Sequence, residues 1–143
     1  MSLNPTLLRD SFNLVIDREP QTIARFYEVL FERYPQARPL FGRNTPQKQQ
    51  QMLQETLVAA LDRLEDGAWL TDNLAALGRK HAGYGVTEEM YGWVGESLLA
   101  TLAEVAGREW TPELEGAWTE AYLAIRDLML AGGREVEALA RPA

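Results

Sequence analysis

Three times in this chain a proline follows directly on a short polar residue, at Asn4-Pro5, Thr45-Pro46 and Thr111-Pro112. A proline is at home in the first helical turn, where its missing N–H would be unpaired in any case, and Asn or Thr before it can cap the turn. Each pair therefore reads as a helix start. Pro20 reads as a fourth, because the apolar pattern resumes after it with Ile23, Phe26, Tyr27 and Leu30 at i, i+3, i+4 and i+7. Thr71 and Thr87 suit two further caps, and Gly83, Gly85, Gly107 and the Gly132-Gly133 pair suit helix ends. The pattern predicts helices over about 5–18, 20–33, 46–65, 72–82, 88–106 and 112–131, with a short turn near 36–41. No stretch alternates apolar and polar residues as a strand would, and neither Asn-Gly nor Asp-Gly marks a hairpin. The expected class is all-α in one domain, with about 134–143 as a C-terminal tail.

Composition narrows the chemistry. The 143 residues include no cysteine and one histidine, so thiolate nucleophiles, disulfides, iron–sulfur clusters and multi-histidine metal cages are excluded. A net charge of −7 has the wrong sign for phosphate neutralisation, which argues against nucleic acid and anionic membrane as partners. No apolar run is longer than the five residues Leu57 to Leu61, and the N-terminus lacks a basic segment followed by an apolar one, so a cytoplasmic location is expected. Ser97 is not in a G-x-S-x-G elbow, Gly78 stands where a di-iron site needs glutamate before His81, and no phosphate-binding glycine loop is present.

Three polar side chains fall on apolar helix faces. Leu70, Leu74, Leu77 and His81 share one face, which points the imidazole inward either as a hydrogen-bonded core residue or as the neutral axial ligand that haem iron takes. Gln49 lies four and eight residues before Leu53 and Leu57, either as an exposed first-turn glutamine or as a donor above a buried ligand. Tyr27 shares the face of Ile23 and Leu30, and its hydroxyl needs a partner in protein or ligand. Tyr91, Val94, Leu98, Leu102 and Val105, then Leu114, Trp118, Tyr122, Ile125 and Met129, form inner stripes that a helical core alone explains.

The segments ARFYEVLFERYPQARPLF (24–41) and LGRKHAGYGVTEEMYGWVGESLLATL (77–102) resemble the bacterial single-domain globins and the haem domain of flavohaemoglobins. The resemblance spans nearly the whole chain and implies a globin fold with helices packed around a haem pocket. It implies haem b, with His81 as the iron ligand and Phe41 packed on the porphyrin. Tyr27 and Gln49 match the distal tyrosine and glutamine, and Leu53 the leucine over the iron. Leu30, Leu57 and Val94 would complete the distal pocket, and Leu77, Val86 and Tyr122 the proximal side. Tyr91 matches a tyrosine that the family couples to a glutamate and the histidine. The aligned glutamate is Glu135, with Glu137 as a competitor, and it falls beyond Gly132-Gly133, where the helix is expected to fray. Arg43, Lys48 and Lys80 lie where haem propionates would be met, although a solvated charge explains each.

The resemblance also implies reversible binding of O2, NO and CO, and conversion of NO with O2 to nitrate. The chain ends at Ala143 without flavin and nicotinamide domains, so electrons are expected from a separate flavin reductase, with the protein a monomer or homodimer. Two other readings stay open: a globin-fold gas sensor or interaction module acting through a protein partner, and a plain helical bundle whose histidine is structural.

Overall fold

Each of the three cap–proline pairs starts a helix in the computed structural model, which describes residues 3–140, the side chains of 136–140 excepted. Asn4 Oδ1 accepts from the Leu7 N–H at 3.1 Å, Thr45 Oγ1 from Lys48 at 3.2 Å and Thr111 Oγ1 from Leu114 at 3.2 Å. The resulting helices are α1 (Pro5–Arg18), α3 (Pro46–Asp62) and α6 (Pro112–Ala140). Between them lie α2 (Thr22–Arg33), α4 (Gly67–Gly83) and α5 (Glu88–Ala106), with 3₁₀ segments at Pro35–Phe41 and Gly107–Glu109. The described residues contain no strand, and the fold is all-helical. No helix among them is long and apolar enough to cross a membrane.

Three boundaries differ from expectation for local reasons. Pro20 occupies a tight turn instead of a helix start, because the Thr22 N–H returns to the Glu19 carbonyl at 3.0 Å and places proline at the second turn position it favours. α4 starts at Gly67, earlier than the Thr71 cap predicted, since Asp66 Oδ1 takes the Trp69 N–H at 3.0 Å and adds a turn carrying Trp69 and Leu70. The third is the largest: α6 runs through Gly132-Gly133 to Ala140, so residues 134–140 are helix and not tail.

Those glycines serve packing instead. A Cβ on Gly132 would lie 2.7 Å from the Ala75 carbonyl carbon, and one on Gly78 would lie 2.5 Å from that of Met129. α4 and α6 thus cross backbone to backbone, an approach only glycine permits at these two positions.

The buried side chains divide into two clusters. The larger joins α1, α2, α5 and α6 through Leu8, Phe12, Phe26, Leu30, Leu102 and Trp118. Trp118 Nε1–H donates to Ser11 Oγ at 2.9 Å, which satisfies the one polar atom that its burial would otherwise orphan. The smaller cluster, Leu70, Leu74, Tyr91 and Met129 with Ala60, draws on α4, α5 and α6 with one residue from α3. α3 rests on α1 and α2, whereas α4 rests on α6. Between α3 and α4 runs a cleft of about 280 Å³ lined by Thr56, Ala60, Leu74, Leu77 and Lys80.

Candidate functional site

On the α3 side the central group is Tyr27. Helix α2 carries it inward beside Phe26, and its ring stands edge-on to Phe26 at 5.0 Å and to Phe41 at 5.4 Å. Phe31, one turn beyond Tyr27, packs on Phe41 at 5.7 Å. Gln49, in the first turn of α3, donates its Nε2–H to the Tyr27 hydroxyl oxygen at 3.2 Å. The hydroxyl is the acceptor in that bond, so its own proton stays available for another partner. Burial pushes the phenol up to about 12, with the Gln49 bond opposing, and Tyr27 remains a neutral O–H donor throughout the physiological range. Gln51 points elsewhere, donating to Glu55 at 3.0 Å. Leu53 and Leu57, one and two turns after Gln49, are half-buried with Phe41 and Val94 against the larger cluster.

On the α4 side the central group is His81. Leu70 and Leu74 are buried, while Leu77 and His81 on the same stripe are half-buried. The Leu77 carbonyl accepts from His81 Nδ1–H at 2.8 Å, which fixes the tautomer and leaves the Nε2 lone pair without a partner among the described residues. Burial lowers the imidazole's proton affinity, and the Leu77 carbonyl offsets this only in part, so the ring is held neutral.

The turn after His81 is tied to the same residue. The Val86 N–H reaches the His81 carbonyl and the Gly85 N–H the Ala82 carbonyl, each at 3.0 Å, with Gly85 at φ 84°. This paired closure needs a left-handed residue and sets Val86 in the smaller cluster with Leu77 and Tyr91. The chain then enters α5, which lays the Tyr91 ring nearly parallel to His81, centroids 6.1 Å apart. Tyr122 acts from one step behind: its hydroxyl donates to the Tyr91 carbonyl at 2.6 Å. Its ring lies so flat on Gly95 that a Cβ there would come within 2.5 Å of Cε2.

Glu135 does not meet Tyr91. The Glu135 carboxylate pairs with Arg79 at 3.0 Å on the exposed flank of α4, and the Tyr91 hydroxyl makes no hydrogen bond among the described residues. Glu137 lies outside the described side chains. The physical reason is the unbroken α6, whose register carries Glu135 to the surface. Of the three cations near the site, Lys80 lines the cleft, Lys48 is exposed at the head of α3, and Arg43 lies over the Tyr84 ring at 4.0 Å.

Phe31, Tyr84, Gly78 and Gly132 belong to this frame and were not anticipated in it. Phe31 carried a signal in its spacing of four from Tyr27. The glycine crossing had none, because a helix-packing glycine and a helix-ending glycine look alike in one sequence.

The site fits haem in its parts. Half-buried leucines stand on one side, a neutral imidazole with a free ring nitrogen on the other, and a hydrogen-bond donor pair lies within the apolar surface.

Comparison with known proteins agrees with this architecture. A family model described as Globin matches residues 24–129. A flavohemoprotein from Rhizobium meliloti is 34% identical over 109 residues, covering 75% of this chain and 27% of that protein. One from Bordetella pertussis is 36% identical over 112 residues, covering 77% and 27%. The chain thus spans about a quarter of the length of these relatives. Among solved structures, an engineered carbene transferase from a Rhodothermus marinus protein assigned as a nitric oxide dioxygenase superposes with a TM-score of 0.81. It is 30% identical and covers 94% of both chains. A Campylobacter jejuni bacterial globin superposes at 0.80 with 20% identity, covering 94% of this chain and 96% of the other. Such relatives imply haem binding, and by the extent of the family match together with its all-helical architecture this chain belongs to the globin family.

Proposed function

We propose that this chain is a haem b globin that binds O2 reversibly and, supplied with electrons by a separate flavin reductase, converts NO to nitrate. One observation carries the reading: Tyr27 and Gln49 are hydrogen-bonded to each other within the apolar cluster of the α3 side, while His81 on the α4 side keeps one ring nitrogen free.

Haem, when bound, supplies the iron that takes a diatomic gas. His81 would hold that iron through Nε2, and the Leu77 carbonyl orients the ring by holding Nδ1–H. Gln49 spends an N–H on Tyr27 and aims the phenol, and Tyr27 offers its O–H to a ligand that gathers partial negative charge. Leu53, Leu57, Phe41 and Val94 keep water away, which strengthens that hydrogen bond. The dioxygenase reaction joins NO, O2 and one electron into nitrate, the electron being the reductase's contribution in this reading.

Ultraviolet-visible spectra of the haem-loaded chain, ferric, reduced and CO-bound, test the reading beside His81→Ala. A Soret band that moves on CO binding in the parent and weakens in the variant supports it; failure to take up stoichiometric haem refutes it. Repeated NO turnovers with an added flavin reductase support the dioxygenase, and a single stoichiometric oxidation with no further turnover refutes that half.

A further inference from the structure

The aromatic cluster around Tyr27 continues to the surface. Tyr27, Phe31 and Tyr34 stand at i, i+4 and i+7 along α2, Tyr34 being the residue that closes the helix. The Phe31 ring lies 6.0 Å from that of Tyr27. Two helical turns, about 10 Å of axis, separate Tyr27 from Tyr34. There the Tyr34 ring stacks on Trp93 of α5, centroids 5.2 Å apart and planes 13° from parallel. Both rings are half-buried against the larger cluster, so each keeps an edge in solvent.

The Tyr34 hydroxyl donates to the exposed Glu96 carboxylate, one turn beyond Trp93. The Glu96 bond and, after it, partial burial push the phenol up, with Glu89 adding and Arg33 opposing, so Tyr34 stays protonated at neutral pH. A phenol that loses an electron becomes a strong acid, and a carboxylate already bonded to that proton can take it in the same step. Negative charge beside the ring also favours loss of the electron. Three other tyrosines are placed differently. Tyr27 faces the amide of Gln49, and Tyr122 donates to the Tyr91 carbonyl, which cannot keep a proton. Tyr84 lies under the Arg43 guanidinium at 4.0 Å, whose positive charge opposes electron loss.

We propose that Tyr34, stacked on Trp93 and bonded to Glu96, is a surface electron donor through which this chain reduces hydrogen peroxide at the expense of small phenols. The inference rests on the haem reading, since the peroxide is reduced at the haem face. Each peroxide takes up two electrons and two protons and leaves as two waters. Tyr34 gives the electrons one at a time; on each occasion its O–H proton passes to Glu96 and a neutral phenoxyl radical remains. A small phenol at the exposed edge of the stack returns one hydrogen atom to that radical, and Glu96 releases its proton to water. Two such cycles balance one peroxide.

The test mixes the haem-loaded ferric chain with hydrogen peroxide, freezes the mixture during the reaction and reads its electron paramagnetic resonance. A tyrosyl signal is expected, lost in Tyr34→Phe and kept in Tyr84→Phe. Glu96→Gln retains an acceptor but no base and should slow the rise of the signal about tenfold or more. Guaiacol oxidation by peroxide should fall in Tyr34→Phe while the CO-bound spectrum stays that of the parent. A parent-like signal in Tyr34→Phe, or a parent-like rate in Glu96→Gln, overturns the proposal. A second arm oxidises the chain without added haem by a flash-quenched ruthenium polypyridyl complex, which separates this outcome from failure of the haem reading. Tyr34 should carry the radical there too, and an equal yield in Tyr34→Phe overturns the donor pair itself.

Discussion

Gly78→Ala should destabilise the chain although alanine is the better helix former. A Cβ at Gly78 falls 2.5 Å from the Met129 carbonyl carbon and nearer still to its oxygen, against an ordinary contact that begins at 3.4 Å, so α4 and α6 must part by at least about 1 Å. The obstacle is backbone and cannot rotate aside. A gap of about 1 Å forfeits a quarter to a half of each dispersion contact along the crossing, and overpacking of this kind costs about 1–3 kcal/mol. The helix-propensity gain returns up to about 1 kcal/mol. A net loss of about 1–2 kcal/mol lowers Tm by roughly 3–8 °C at this chain length. Gly116→Ala is the control, because a Cβ there meets nothing within 4 Å and the same substitution should stabilise by up to about 1 kcal/mol. Thermal and urea unfolding of both variants, followed by circular dichroism under one condition, reads the sign. Shifts in the same direction for the two would refute the backbone crossing.

Tyr27→Phe should speed O2 dissociation from the haem-loaded chain about fivefold, the loss of one hydrogen bond of about 1 kcal/mol; an unchanged rate in flash photolysis or stopped flow removes Tyr27 from the proposal. Without haem, the chain should lose stability as pH falls. The folded imidazole of His81 binds protons less readily than its ordinary value of 6.5, so the unfolded chain takes up more protons over that interval. The loss therefore begins near pH 6.5 and continues down to the lowered folded value; a haem-free Tm that stays flat below pH 6.5, or the same slope in His81→Ala, contradicts it. Trp118→Phe should cost about 1–2 kcal/mol in urea unfolding, through the buried bond to Ser11 at 2.9 Å and the lost ring area, whereas a neutral result would mean that bond is idle.

What was legible in one sequence followed how local its cause is. The caps at Asn4, Thr45 and Thr111 act within three residues, and the inward stripe ending at His81 is a matter of helical period. Tyr27 and Gln49 lie 22 residues apart on different helices, so periodicity put each on an apolar face and left their meeting undetermined. Only the resemblance to known globins paired them. Asp66 was overlooked as a cap because Gly67 beside it favours a loop as readily as a helix start. Gly132 and Gly133 misled for the opposite reason: their helical cost is local and visible, whereas the gain that offsets it lies on α4, at Ala75 and Gly78.

That last misreading decides the proximal side of the site. Since α6 stays helical through 132–133, the face that holds Gly132 against Ala75 also determines the directions of Arg134 and Glu135. Glu135 emerges on the solvent flank and meets Arg79, where both groups are substantially exposed. Such a pair is worth about 0–1 kcal/mol and cannot by itself hold the carboxylate there. Burial is what keeps it out, because bringing Glu135 to Tyr91 would strip its water at a cost of several kcal/mol and would require α6 to unwind from the glycine crossing. The imidazole Nδ1–H is held by the Leu77 carbonyl, a neutral acceptor, and Glu135 takes no part in orienting it. A neutral acceptor raises the basicity of Nε2 less than a charged one does, so were His81 to hold haem iron, the Leu77 carbonyl would lend it less electron-donating strength than a carboxylate in the same place.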